Sequence, residues 1–180
     1  SLSWHSLIYP ERFNDEIAVY YGYYGQIVIH VLNNKIYCGI SLEDQIWYKV
    51  DVDTTGVRWY SVVGVWEKGN SLKMYIDGEL KAQIPLPNLS IGPRPLNHSS
   101  IGAYHRFLDN PRPFKGKIDE IRIYNRALSL SEIQQLYNQA SSISIISPNG
   151  GETIYSGSVS NITWTSIAIN SVKIEFTTNN

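Results

Sequence analysis

The run from Tyr104 to Phe114, YHRFLDNPRPF, puts a phenol, an imidazole, a guanidinium, a carboxylate and an amide close together. Tyr104 and His105 can stack on a flat ligand, and Arg106 and Asn110 can hydrogen-bond to it. Loops carried on a rigid scaffold are where binding groups usually sit. The same composition also suits a plain solvated connection. Asp109 and Asn110 are in addition hard oxygen donors of the kind calcium takes six to eight of. Asp119 follows in GKIDEIRIYN, where strict alternation places it on the strand face of Ile121 and Ile123. A carboxylate among core residues must be paired, hydrogen-bonded or metal-bound. Backbone amides, Arg126 or a cation would serve, and a bulge would instead turn it to solvent.

Other acids read as structural. Asp51 and Asp53 share a strand face, but a solvated strand end explains them, and Asp77 and Glu79 flank the Gly78 turn. Glycoside hydrolysis needs an acid and a second carboxylate held across a cleft, about 5 Å or more apart. His5, His30, His98 and His105 lack metal-ligand spacing, and neither a nucleophile elbow nor a glycine-rich phosphate loop occurs. The expectation is binding without catalysis. Aromatic surface is the other candidate. In YYGYYG, Tyr20, Tyr21, Tyr23 and Tyr24 must divide between two strand faces, and Trp47 or Tyr48 in QIWYKV could stack on a sugar ring. Cross-strand packing is the competing use of all of them.

The elements that would hold these groups are strands. Period-two segments with turn residues between them fall at 17–24, 26–32, 35–41, 46–52, 59–66, 72–76, 79–84, 100–104 and 116–124. Asn33–Asn34 and Asp77–Gly78 predict two-residue hairpins, because both pairs accept the positive φ of a type I′ turn. After Asn125 the period lengthens. Ser129 and Glu132 form a capping box, and Ile133, Leu136 and Tyr137 recur at helical spacing, predicting one short helix over 129–138. Many short strands with regular turns point to an all-β, two-sheet antiparallel sandwich. Trp59, Leu72, Met74, Ile76, Ile121 and Ile123 are its expected core members, and Trp66 packs with them.

Composition narrows the classes. The net charge of −1 without a basic run gives no electrostatic footprint for nucleic acid. No apolar run approaches the ~20 residues of a membrane span. The single cysteine, Cys38, rules out an internal disulfide and reads as a small buried residue. The three N-x-S/T sequons, at Asn88, Asn97 and Asn161, are close to the number chance supplies.

The run GKIDEIRIYNRALS with EIQQLY after it resembles the closing motif of laminin G-like domains of the concanavalin A-like lectin and glucanase superfamily. WYSVVGVWEKGNSLKMYIDGEL resembles that family's central hairpin, and Ile101–Gly102 the strand before its closing loop. The resemblance covers about 1–140 and implies a jelly-roll sandwich. It also implies a structural calcium to which Asp119, with Asp109, can contribute. The E-x-D-x-x-E strand of the superfamily's glucanases has no counterpart here. SLSW is similar to a family strand joined midway, so further strands and a longer parent chain are expected before Ser1. Beyond about residue 140, ISIISPNGGETIYSGSVSNITW is similar to the opening of Ig-like, Ser/Thr-rich surface-protein modules, expected here as a truncated second module over 141–180. Together these imply a non-catalytic recognition module, extracellular or cell-surface, binding glycan or a protein ligand. A structural spacer is the alternative, and a glycoside hydrolase the remoter one.

Overall fold

The computed structural model describes residues 1–11, 16–21, 27–54, 56–91, 99–104, 112–140, 142–155, 157–167, 169 and 171–175. In chain order the strands are β1 (Leu2–Pro10), β2 (Glu16–Tyr21), β3 (Ile27–Leu32), β4 (Lys35–Ser41), β5 (Trp47–Asp53), β6 (Tyr60–Glu67) and β7 (Ser71–Ile76). They continue with β8 (Glu79–Pro85), β9 (Ser100–Ile101), β10 (Ala103–Tyr104), β11 (Arg112–Pro113) and β12 (Gly116–Tyr124). Helix α1 (Leu130–Ala140) follows, then β13 (Ser142–Ser147) and β14 (Thr163–Ile167).

Two five-stranded antiparallel sheets form the sandwich. The first has the order β12-β1-β6-β7-β8 and the second β5-β4-β3-β2-β9. Their facing surfaces share one core. Trp4, Ile8, Val62, Leu72, Met74 and Ile76 come from the first sheet, and Ile27, Ile29, Val31, Ile36, Cys38, Ile40 and Val50 from the second. Removing a side chain of this kind from water contributes about 1.5–3 kcal/mol. Trp4 sets the packing distance inside the first sheet. It stands opposite Gly64, and a Cβ on that glycine would lie only 2.3 Å from the indole.

Both predicted hairpins occur. Asn33 and Asn34 take φ of 51° and 61°, and Asp77 and Gly78 take 54° and 79°. Asp77 is held from three sides: its amide donates to the Ser61 carbonyl, Oδ1 accepts from the Ser61 amide and Oδ2 from Arg58. The tip of this hairpin abuts α1, with Gly78 against Tyr137 and Gln134. The helix begins as its capping box requires. Ser129 Oγ accepts from the Glu132 amide, and the Glu132 carboxylate accepts from the Ser129 amide at 2.9 Å. Leu128, Ile133 and Leu136 then cover Val63, Val65 and Tyr75 on the outer face of the first sheet. That explains why β6 is apolar on both faces.

The edge strand β12 departs from simple alternation. His5 pairs with Arg122 and Leu7 with Asp119, so Ser6 alone faces the two residues Glu120 and Ile121. This is a β-bulge, and Glu120 takes the left-handed φ of 53°. The bulge resets which side chains point inward. Ile118 and Ile121 pack against the core, and the expected burial of Asp119 is overturned: its side chain is exposed. Oδ1 accepts from the Glu120 amide at 2.8 Å, capping the bulge. Arg126, offered above as a partner, pairs instead with Glu132. Ile123 is also more open than expected, at 40%, because no strand covers that edge of the sheet among the described residues. Trp59 is only half-buried, packed on Leu7 and tilted against Tyr9.

The segment expected as one strand over 100–104 is interrupted at Gly102, whose φ is 73°. It forms β9 and β10, and β10 pairs with β11 rather than with the second sheet. β13 and β14, in the segment expected as a truncated second module, form a separate two-stranded sheet. Ile143, Ile145, Ile146 and Trp164 on it are exposed.

Candidate functional site

The outer face of the second sheet gathers the side chains best suited to hold a ligand. The Asn33–Asn34 turn fixes the register: His30 opposes Tyr37, and Val28 opposes Gly39. On the next strand Lys49 opposes Gly39, Asp51 opposes Tyr37, and Trp47 opposes Ser41. Since Ile29, Val31, Cys38, Ile40 and Val50 point into the core, the alternate residues Val28, His30, Tyr37, Gly39, Trp47 and Lys49 face outward.

Trp47 lies across this face. Its six-membered ring passes over Gly39, where a Cβ would meet ring carbon Cζ3 and Val28 at 3.1 Å each. Any larger residue at 39 would lift the indole from the sheet. Despite that contact Trp47 keeps 43% of its surface open. Lys49, two residues on, holds its ammonium 5.3 Å from the Tyr37 ring centre, within reach of a cation–π attraction. The His30 imidazole lies 5.9 Å from the same ring. Indole, ammonium, phenol and imidazole thus form one strip across three strands. Such a strip offers a flat apolar surface bordered by hydrogen-bonding groups, the combination that receives the apolar face of a sugar ring and its hydroxyls. Tyr48, the other residue considered for stacking, points inward against the core, and its hydroxyl donates to Asp44 at 2.7 Å.

His105, Arg106, Asp109 and Asn110 lie outside the described residues, and Tyr104 is described only as backbone, paired with Arg112. β9, which leads toward them, is at the opposite edge of the second sheet from β5. Four strand spacings, about 19 Å, separate those edges. For a cation, the described donor among the expected ones is Asp119, exposed and with one oxygen committed to the Glu120 amide. No group of three acidic, histidine or cysteine residues arranged to hold a metal occurs among the described residues.

The acids weighed for catalysis are engaged elsewhere. Lys35 binds Asp51 at 2.6 Å and Asp53 at 3.6 Å. One pair does have a nucleophile-and-base appearance: His5 Nε2 and Ser61 Oγ are 3.2 Å apart. Both are buried, at 1% and 2% exposure, so no substrate reaches them. Burial, with the Arg122 charge second, pushes the His5 imidazole down to about 4. Nδ1 meets no partner of hydrogen-bond geometry, and the Glu120 backbone beside it gives the proton only weak support. Burial likewise pushes the Cys38 thiol well up, leaving it an inert core residue.

The strip was only partly foreseen from the sequence. Trp47 was named for stacking, His30 was weighed only as a metal ligand, and Tyr37, Lys49 and Gly39 were not named. The available signal was the hairpin register, which brings His30 opposite Tyr37 once the turn is placed at 33–34.

Solved structures similar to this one include binding domains of botulinum neurotoxins. The botulinum neurotoxin serotype G binding domain superposes with a TM-score of 0.58 at 14% identity, over 77% of this chain and 36% of that one. The receptor binding domain of botulinum neurotoxin D gives 0.54 at 13%, over 77% and 37%. The serotype D ligand binding domain in complex with N-acetylneuraminic acid gives 0.53 at 12%, over 77% and 36%. The chain therefore spans somewhat more than a third of each of these structures, and at such identity the likeness is one of fold. Comparison with curated protein sequences gives no match. The family profile described as concanavalin A-like lectin/glucanases superfamily, in its laminin G-like branch, matches residues 1–134. Profile, sandwich topology and closing helix agree: the chain belongs to the laminin G-like domains of the concanavalin A-like lectin/glucanase superfamily.

Proposed function

We propose that this chain is a non-catalytic recognition module that binds glycan through the outer face of its second sheet. The observation that carries the reading is Trp47, packed against Gly39 yet 43% exposed, with Lys49 and Tyr37 on the same sheet face. A core tryptophan would be covered; this one leaves much of its indole open on the outer side of a sheet. Receptor- and ligand-binding domains among the solved structures of the same fold support a binding role. Affinity for one or two sugar rings would be modest, near millimolar to micromolar, or about 4 to 8 kcal/mol.

The setting is an exported or cell-surface protein. Lectin-like domains suit that location, and no helix among the described residues is long and apolar enough to cross a membrane. The separate β13–β14 sheet is read as the start of a second module. Tyr104, His105, Arg106 and Asn110 would serve as a second contact for a longer ligand. A calcium ion at Asp119 would use the carboxylate oxygen not taken by the Glu120 amide. A glycan array probed with the whole chain and with Trp47→Ala tests the reading. Binding lost in the variant, with its melting temperature kept, supports it. An array without signal, or one unchanged by Trp47→Ala, refutes it and favours a spacer or protein-binding role.

A further inference from the structure

Among the asparagines of this sequence, Asn149 alone is followed by glycine. Both residues are exposed, in the turn after β13. Asparagine is a thermally labile residue because the next backbone nitrogen can attack its side-chain carbonyl. Glycine at the next position leaves that nitrogen unshielded. Gly150 takes a φ of 119°, and no described atom lies within 4 Å of the place its Cβ would occupy. The related pair Asp77–Gly78 could close the same ring. Its carboxylate, however, is held by the Ser61 amide at 3.0 Å and by Arg58 at 2.7 Å.

The Asn149 turn has one restraint of its own. Glu152 Oε1 accepts from the Asn149 amide at 2.9 Å, and Oε2 accepts from the Gly150 amide at 2.8 Å. These bonds, the one from Asn149 first, hold the Glu152 carboxyl below its usual range, so it is charged at neutral pH. The attacking group is the Gly150 nitrogen without its proton. A carboxylate bonded to that N–H favours the protonated form, and its charge opposes the negative charge left when the proton goes.

We propose that Asn149 is a site of spontaneous deamidation and that Glu152 slows it. The Gly150 nitrogen, having lost its proton to hydroxide or buffer, forms a bond to Asn149 Cγ. The bond from Cγ to the side-chain nitrogen breaks, and that nitrogen takes up a proton and leaves as ammonia. Water then opens the succinimide ring at either carbonyl, giving aspartate or isoaspartate without any change of oxidation state. In isoaspartate the main chain is one methylene longer. The Asn149 and Gly150 amides then no longer keep their present spacing to Glu152, and the turn beyond β13 opens.

The test ages the whole chain at neutral and mildly alkaline pH, folded and in urea, beside Glu152→Gln, which keeps the shape of the side chain and removes its charge. Peptide mass mapping locates the product. The expected result is a gain of one mass unit at Asn149, part of it isoaspartate, rising with pH. It should accrue ahead of Asn88 and Asn161, which are also exposed but are followed by Leu89 and Ile162. The reaction should be faster in urea, and faster in Glu152→Gln with an unchanged melting temperature. Modification of Asn149 no faster than that of Asn88 and Asn161 overturns the site. Equal rates in the folded and urea-unfolded chain, or a Glu152→Gln rate no higher than the native one, overturn the part assigned to Glu152.

Discussion

The Nε2 of His5 and the Oγ of Ser61 lie 3.2 Å apart on neighbouring strands β1 and β6, both beneath the surface of the first sheet. The position accepts a neutral imidazole and resists a charged one, since Arg122 adds its own charge beside it. An unfolded chain would protonate His5 near 6.5, whereas the folded one holds it down to about 4. The native state thus binds fewer protons between those values. The contribution is complete above pH 6.5, falls away as pH drops toward 4, and is level below that. The full span amounts to about 3 kcal/mol. Urea unfolding from pH 7.5 to 3.5 should show this decline, and His5→Asn should flatten the part between 6.5 and 4. An unaltered profile in the variant would assign the acid sensitivity to other groups.

Gly64 should tolerate no side chain. Its would-be Cβ lies 2.3 Å from the indole of Trp4, which is itself 1% exposed and enclosed by the core. Gly64→Ala should cost about 3 kcal/mol or fail to fold, because the ring has nowhere to move. Denaturant melts of that variant against Ser61→Ala would separate overpacking from ordinary trimming of the same strand.

The bulge on β12 depends on Glu120 keeping a positive φ. A β-branched residue resists that conformation, so Glu120→Val should lose about 1–2 kcal/mol, whereas Glu120→Asn should be nearly neutral. Asp119→Ala removes only an exposed cap on the Glu120 amide and should cost about 1 kcal/mol or less. Equilibrium unfolding of the three variants checks the ranking. A larger loss for Asp119→Ala than for Glu120→Val would mean that the carboxylate has a stronger partner.

Gly39→Val should act on the ligand face rather than on the core. The new side chain would press on Trp47 and Val28 and raise the indole from the sheet. Glycan binding should fall in the direction of Trp47→Ala, with the melting temperature shifted by a few degrees at most. Isothermal titration with the best array ligand measures it. Retained affinity would show that the contact between Trp47 and Gly39 is not required.

How much of this was legible beforehand varies with the kind of signal. The Asn33–Asn34 and Asp77–Gly78 turns, and the Ser129–Glu132 box, were readable because their chemistry is local: a few residues determine φ or satisfy an amide. The core residues of β7 followed from alternation. Asp119 was misjudged because alternation assumes one residue opposite one, and Ile123 because alternation does not show that its strand is at the sheet edge. The bulge arises from the partner strand, where Ser6 faces two residues. Trp47 and Tyr48 could not be told apart, since adjacent residues occupy opposite faces and only the pairing of Ile40 with Tyr48 decides which is inward. The strip itself is a property of three strands, none of which contains more than part of it.

Helix α1 closes the first sheet on its outer side, with Leu128, Ile133 and Leu136 over Val63, Val65 and Tyr75. The Trp47 strip is on the outer side of the other sheet. The sandwich is therefore two-sided in the manner of a coin with one blank face. The end of α1 lies on the blank side, opposite the face proposed to take the ligand.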